Sequence, residues 1–322
     1  EGPAGGTLFE ERPELHEAGL ADGLVEAADL RIGGGIGGGG GEAQLQLDCA
    51  GSSLAATWRL FVTGTQGLAV AQQFRAVQLE ALPGGVDPEI VDIVAKSFEF
   101  SRLSDGAFDV TYASVGYLYD YRAHQRPNEQ QISAALPGVD YRQVQVDREA
   151  RTIRFLRKGV RIDLGGIAKG YAVDRSIDQL RKLGIEHAMV NAGGDTRLLG
   201  DRRGKPWVVG IRDPRNEGRV VTRLPLEDEA ISTSGDYERY FERDGVRYHH
   251  ILVPGTGRSP DAVHSVTVIG PNATRTDGLT KTVFVLGVER GLAFVRSLGD
   301  VEAVIVDAAG RVHCTEGLQP PA

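Results

Sequence analysis

Residues 161–174, RIDLGGIAKGYAVD, have types and spacing that could form a phosphate-binding turn. Gly165 and Gly166 allow the backbone to turn tightly and to approach a ligand closely. Lys169 follows at the predicted start of a helix, where main-chain N–H groups already favour an anion. The segment matches neither the P-loop nor the G-x-G-x-x-G motif of dinucleotide-binding proteins. By itself it predicts either a phosphate site or a tight strand-to-helix connection whose lysine is solvated.

Two further polar segments follow predicted strands. In VNAGGDTR, Asn191 and Asp195 flank two glycines, and these residue types are also ordinary turn formers. In ISTSGDYERYF, Ser232, Thr233 and Ser234 lie at a strand end without the G-x-S-x-G pattern of a serine nucleophile. We therefore expect their hydroxyl groups to bind phosphate or to cap the next helix.

The segment YHHILVPGTG contains two candidates for proton transfer. His249 and His250 are neighbours in a predicted strand, so their side chains point to opposite faces and at most one enters a given cleft. A lone histidine is more often structural than catalytic, although the ordinary pKa of histidine suits proton transfer at neutral pH.

The segment TRTDGLTKTVFVLG places a carboxylate at the predicted start of a helix. Asp277 there is typical of a helix cap, because a carboxylate stabilises the N-terminal end of a helix. Carboxylate oxygens are also ligands for hard cations such as Mg²⁺. The residues alone leave both interpretations open.

The composition limits the possible functions. A net charge of −8 and a pI near 5.5 argue against nucleic acid as the main partner. Cys49 and Cys314 are far apart in the 322 residues, which argues against a disulfide framework or a zinc site. No apolar run approaches the roughly 18 residues of a membrane span, and the first residues lack the pattern of a signal peptide.

The order of the predicted elements indicates one folded domain after an arm. Residues 1–50 include the glycine-rich run 32–41, so we expect a disordered arm there and a single domain over 51–322. Strands and helices then follow in a mixed order, with a strand at 160–164 and a helix at 277–287. This order favours an α+β fold over a doubly wound parallel sheet.

Seven segments together are much more specific than any one of them. In order and spacing they resemble the ApbE family of flavin transferases, from about Leu54 to the C-terminus. The resemblance implies an α+β fold with mixed, largely antiparallel sheets flanked by helices. The segments are GAFDVT, VDYRQVQVD, RIDLGGIAKGYAVD, VNAGGD, ISTSGDYERYF, HHILVPGTGRSP and TDGLTKTVFVLG.

The resemblance also implies an activity. It is that of a magnesium-dependent FAD:protein FMN transferase, which moves FMN from FAD to a threonine of a target redox protein and releases AMP. Water in place of the threonine would make the chain an FAD pyrophosphatase, and a third interpretation is a non-catalytic FAD-binding maturation protein. The implied partner is a respiratory or redox flavoprotein subunit, and the implied location is periplasmic or membrane-associated.

The family motifs assign roles to individual residues of this sequence. His250 and Asp277 are implied as catalytic residues, with His250 transferring a proton or contacting phosphate. The main-chain oxygen of Gly166 and the carboxylate of Asp277 are implied as ligands of Mg²⁺. The residues implied to bind FAD are Ala107, Phe108, Asp109, Asp163, Lys169, Leu252 and Thr280.

One departure from the family pattern affects the implied metal site. Four residues after Asp277 the family usually has a threonine ligand, and this chain has Lys281. An ammonium group has no lone pair to donate to a cation and repels it at close range. Lys281 either pairs with the diphosphate directly, or a one-residue shift lets Thr280 or Thr282 serve as the ligand.

Further departures lie in two other segments. Val253 and Gly255 stand where the family commonly has an aspartate and a basic residue. The segment that carries a flavin-stacking aromatic residue in the family is shortened, with Glu80 at the position of an asparagine. We therefore expect the phosphate end of the site to be better preserved than the flavin-ring end.

Overall fold

Short apolar segments separated by turns form fourteen strands and five α-helices in the computed structural model, which describes residues 43–48, 57–62 and 86–318. The helices are α1 (Pro88–Leu103), α2 (Ala113–Gly116), α3 (Glu129–Ala135), α4 (Ala168–Lys182) and α5 (Ala273–Leu298). The strands are β1 (Ala43–Asp48), β2 (Thr57–Val62), β3 (Val144–Asp147), β4 (Thr152–Phe155), β5 (Ala188–Ala192), β6 (Asp195–Leu199), β7 (Trp207–Arg212), β8 (Val220–Leu226), β9 (Ala230–Gly235), β10 (Tyr240–Arg243), β11 (Val246–His249), β12 (Val263–Gly270), β13 (Glu302–Asp307) and β14 (Val312–Cys314).

Eight strands form one sheet in the order β1-β2-β5-β6-β9-β12-β13-β14. Every pair of neighbouring strands in it is antiparallel. Three separate hairpins, β3-β4, β7-β8 and β10-β11, complete the described strands. The arrangement confirms the predicted α+β class with largely antiparallel sheets.

Three details differ from the sequence-based expectations. Strand β1 lies inside the range predicted as a disordered arm. It is ordered there through pairing with β2 along its whole length. Residues 1–42, 49–56 and 63–85 lie outside the described residues, so the disordered arm and the shortened flavin-stacking segment with Glu80 stay predictions. The strand predicted at 160–164 is wrong, since this segment pairs with no strand among the described residues, and Asp163 donates its main-chain N–H to the main-chain oxygen of Val110 instead.

The third difference concerns the start of α5. Asp277 does not begin this helix, because α5 begins at Ala273 and Asn272 caps it by accepting a hydrogen bond from the main-chain N–H of Arg275. Asp174 of α4 also accepts hydrogen bonds from the main-chain N–H groups at the first two positions of α5, at 2.8 and 2.7 Å. The capping needs of the helix are therefore satisfied without Asp277, whose carboxylate lies one turn further along.

The two long helices after residue 160 pack on the large sheet. Val173, Ile177 and Leu180 form the apolar face of α4 and are buried against β5. Helix α5 packs beside α4 on β9 and β12, and it changes direction at Gly287, where φ is 75° and ψ is −172°. In the part of the chain that the structure describes, no helix is both long enough and apolar enough to cross a membrane.

Gly170 sets the distance between α4 and α5. A Cβ atom at this position would overlap the carbonyl oxygen of Ala273 and would lie 2.7 Å from Cβ of Asp277. The missing side chain lets the main-chain N–H of Gly170 donate a hydrogen bond to Asp277 Oδ2 at 3.0 Å. Gly170 belongs to the segment 161–174 that could form a phosphate-binding turn, but its role in the structure is to let the two helices pack closely.

We expect Gly170→Ala to lower the free energy of unfolding by about 3 kcal/mol, because the added methyl group forces two buried helices apart. Urea unfolding monitored by circular dichroism measures the change. Gly255→Ala is the matched control, since a Cβ atom at Gly255 meets nothing within 4 Å. Equal stability of the two variants would show that the helix crossing tolerates the methyl group.

Candidate active site

Three segments that are distant in the sequence line one cavity. They are the turn after α1, the segment that leads into α4 and the segment after β11, and α5 closes the floor. The cavity measures about 60 Å³ and adjoins a second one of about 780 Å³. Tyr112, Asp163, Arg239 and His250 line both. Together the cavities have the size that a nucleotide-like ligand needs.

Most of the predicted site residues meet in the smaller cavity. Lys169, Asp277 and Thr280 are predicted site residues that do not line it; Asp277 and Thr280 are fully buried, and Lys169 pairs with Asp277. The predicted residues that line it are Ala107, Phe108, Asp109, Asp163, Gly166, His250 and Leu252.

The carboxylates of the lining residues hold the turns in place. Asp109 accepts hydrogen bonds from the main-chain N–H and hydroxyl group of Thr111 and from the main-chain N–H of Tyr141. Burial raises the pKa of Asp109, and these hydrogen bonds oppose the shift. Asp163 accepts a hydrogen bond from the main-chain N–H of Gly165 at 2.6 Å. Both side chains thus fix the backbone around the cavity.

At the floor, two lysines and two aspartates form a largely buried charge cluster, which we define as Lys169, Asp195, Asp277 and Lys281. Lys169 forms ion pairs with Asp195 and, at 3.4 Å, with Asp277. Lys281 pairs with Asp277 across one turn of α5. Neither carboxylate is exposed to solvent, whereas the side chains of Lys169 and Lys281 are 30% and 17% exposed, and Lys281 lines the cavity.

Burial and the opposite charges shift the pKa values in this cluster. Burial alone would lower the pKa of Lys169, but Asp195 and Asp277 raise it above its ordinary value. Burial lowers the pKa of Lys281, and Asp277 opposes the shift. Burial would raise the pKa of Asp277, yet the two ammonium groups hold it below its ordinary value. Asp195 has a raised pKa because burial and the nearby Asp277 outweigh Lys169.

The alternative metal ligands on α5 already have partners. The hydroxyl group of Thr280 shares a hydrogen bond with Ser234 and donates to the main-chain oxygen of Asp277. The hydroxyl group of Thr282 donates to the main-chain oxygen of Gly278. Both threonines are fully buried, so a one-residue shift does not bring an oxygen ligand into the cavity.

The residues present do not fit a magnesium site. Lys281 stands beside Asp277 where an oxygen ligand is expected, and the described residues contain no group of three or more His, Cys, Asp or Glu that could hold a metal ion. A divalent cation about 4 Å from an ammonium group is repelled by about 8 kcal/mol at an effective dielectric constant of about 20. Lys169 and Lys281 would both repel a cation bound to Asp277 in this way.

His250 reaches the cavity, and His249 does not. His249 is buried on the other face, where its Nε2 lies 2.8 Å from the main-chain oxygen of Pro260. His250 Nδ1 has no hydrogen-bond partner within the described part of the chain. Burial, together with Arg239, His249 and Lys281, holds the pKa of His250 well below its ordinary value. The ring is therefore neutral near pH 7, which is the form that a proton acceptor must have.

Sequence reasoning missed three residues of the site. Asp195 was open to interpretation as a turn former, but it is the buried partner of Lys169. Tyr112 and Arg239 line both cavities and were not singled out. The sequence held no local signal for Asp195, because strand β6 (DTRLL) begins with three polar residues and does not look like a buried strand.

Known proteins match both the sequence and the fold of this chain. A family model described as the ApbE family matches residues 68–305. The FAD:protein FMN transferase of Treponema pallidum (strain Nichols) is 32% identical over 259 residues, which cover 75% of this chain and 72% of that protein. The enzyme of the same name from Vibrio cholerae serotype O1 is 37% identical over 221 residues, 66% of this chain and 65% of its own length.

Solved structures extend the match to the fold. The ApbE protein of Thermotoga maritima has a TM-score of 0.72 at 31% identity and covers 85% of this chain and 98% of its own. The flavin transferase ApbE from Vibrio cholerae has a TM-score of 0.70 at 26% identity, over 88% of this chain and 100% of its own.

We expect Asp195→Asn to lower the free energy of unfolding by about 3 kcal/mol, because it removes a buried charge and leaves Lys169 with one carboxylate fewer. Guanidinium unfolding measures the change. Asp244→Asn, in the exposed Asp-Gly turn between β10 and β11, is the control with the same chemical change. A loss no greater than that of the control would show that Asp195 does not compensate Lys169.

Proposed function

The chain belongs to the ApbE family, and from this premise we propose that it is an FAD:protein FMN transferase, which moves FMN from FAD to a threonine of a target protein. The observation that carries the proposal is the small cavity. Residues 107–109, the turn at 163–166 and residues 250–252 are far apart in the chain, yet all three line it. These are the segments that the family resemblance assigned to FAD.

The lining residues supply what the two ends of such a substrate need. Phe108, Leu252 and Val285 give one wall an apolar surface against which a flavin ring can pack. Arg239 and Lys281 supply the positive charge that a diphosphate needs. Because the adjoining larger cavity shares Arg239 and His250, FAD and an incoming hydroxyl group can both reach these residues.

The proposed transfer needs one proton acceptor. The hydroxyl oxygen of the target threonine forms a bond to the FMN-side phosphorus, and the bond from that phosphorus to the bridging oxygen breaks. AMP leaves with the bridging oxygen, and the hydroxyl proton passes to the unpartnered Nδ1 of His250. Asp277 acts as a positioning residue, since it holds Lys169, Lys281 and the main-chain N–H of Gly170.

The family resemblance supports two narrower parts of the proposal. The target is a respiratory or redox flavoprotein subunit, and the chain works in the periplasm or at a membrane face. The resemblance also implies Mg²⁺ as a cofactor, but the charge cluster does not fit that ion, so no step of the proposed transfer passes through it.

The activity is tested by incubating the chain with FAD and a redox protein whose flavin is attached through a threonine. We expect AMP, measured by chromatography, and covalent flavin, measured as fluorescence of the denatured target. A target with alanine in place of that threonine is the control. FMN and AMP without labelled target would identify a pyrophosphatase, and uncleaved FAD would show that the chain only binds it.

The role of His250 predicts a pH profile. The ring must be neutral to accept a proton, and its pKa is lowered, so kcat/KM should stay constant on acidification to pH 6.5 and fall only at lower pH. His250→Gln should reduce kcat by about 10² to 10⁴ and abolish this acid limb. His187→Gln, outside both cavities, is the control. An acid limb above pH 6.5, or an active His250→Gln variant, would assign the proton to another group.

A further inference from the structure

We propose that this chain holds the diphosphate of FAD without a divalent cation, because the ammonium group of Lys281 takes the place that the family resemblance assigns to a metal. The inference rests on the proposed function in one respect, namely that FAD is the donor substrate. It departs from the resemblance because the positive charge beside the diphosphate belongs to a side chain of the protein and not to a bound metal ion.

The hydrogen bonds of Asp277 disfavour a bound metal ion. Its Oδ1 accepts from the ammonium groups of Lys281 and Lys169, and its Oδ2 accepts from the main-chain N–H of Gly170. The side chain has no exposed surface. A metal ion at this carboxylate would therefore have to compete with two ammonium groups that already pair with it.

The charge balance of the cluster also disfavours a divalent cation. Two ammonium groups face two carboxylates, so the four side chains sum to zero while Lys169 and Lys281 are protonated. A divalent cation would add two positive charges beside both lysines. A diphosphate does the opposite, because its negative charge is attracted to the ammonium group of Lys281.

The position of Lys281 also favours a direct contact with the diphosphate. Its side chain runs along the floor of the cavity, where Cγ lies 3.9 Å from the point that a Cβ atom of Gly166 would occupy. Gly166 is the residue whose main-chain oxygen the resemblance assigns to the metal. The lysine thus lies beside both residues implied as metal ligands, and an ammonium group has three donors, of which Asp277 uses one.

Binding measurements test the proposal on the unmodified chain. We expect FAD to bind equally well in Mg²⁺ and in EDTA, as followed by quenching of flavin fluorescence. We also expect electron paramagnetic resonance to detect no bound Mn²⁺, used as a paramagnetic substitute for Mg²⁺. A tenfold or greater loss of FAD affinity in EDTA, or stoichiometric Mn²⁺ binding, would overturn the proposal; the tenfold threshold corresponds to about 1.4 kcal/mol.

Substitutions of Lys281 test the assignment to this residue. Lys281→Met should weaken FAD binding by about 30-fold with or without Mg²⁺, because the diphosphate of FAD loses the ammonium group that pairs with it. Lys281→Thr restores the oxygen ligand of the family pattern, and we expect this variant to bind Mn²⁺ and to need a divalent cation for FAD. Lys182→Met, exposed on α4, is the control with the same loss of charge.

The outcomes separate this proposal from the proposed function. FMN transfer that proceeds only with Mg²⁺ would keep the transferase and overturn the role of Lys281. Tight FAD binding in EDTA without transfer to any target would keep the role of Lys281 and overturn the transferase. A Lys281→Met variant that binds FAD as well as Lys182→Met does would also overturn the proposal, whatever the activity.

Discussion

The close crossing of α4 and α5 is the constraint on which the site depends. Gly170 lets the helices approach until a main-chain N–H of one bonds to a carboxylate of the other. Asp277 is thereby buried, and a buried carboxylate requires compensating charge. Lys169 comes from α4 and Lys281 from α5 itself, so each helix contributes one ammonium group. The helix crossing and the charge cluster therefore depend on each other.

The segment RIDLGGIAKGYAVD has a role that differs from a simple phosphate cradle. Gly166 and Asp163 do line the cavity, as a nucleotide site requires. Lys169, however, points to two carboxylates behind the floor, and Gly170 meets α5. The segment builds the surface that receives a ligand and also the layer of charges that supports this surface.

Local signals in the sequence predicted much of the fold. The helix predicted to start near Lys169 and the helix predicted at 277–287 correspond to α4 and to part of α5, because helical patterns depend on neighbouring residues. The segment 160–164 looked like a strand, but strand pairing depends on a partner that lies elsewhere in the chain. The start of α5 was misplaced for a related reason, since part of its cap, Asp174, lies about 100 residues earlier.

The same distinction applies to the site. Family motifs located the segments that line the cavity, and Lys281 was visible as a departure from them. Pairing between lysines and aspartates could not be read from spacing, because Lys169 lies 26 residues from Asp195 and 108 from Asp277. Only the i, i+4 pair of Asp277 and Lys281 is local enough for a sequence to indicate.

The contact of Asp174 with the first turn of α5 has a consequence for the energetics of ligand binding. Asp174 and Gly170 lie one turn apart on α4, and they attach to α5 at two successive turns. Two attachment points on each helix remove both sliding and rotation at the crossing. The cavity floor is therefore preorganised when the chain folds, and an arriving nucleotide does not lose affinity to the entropy of ordering it.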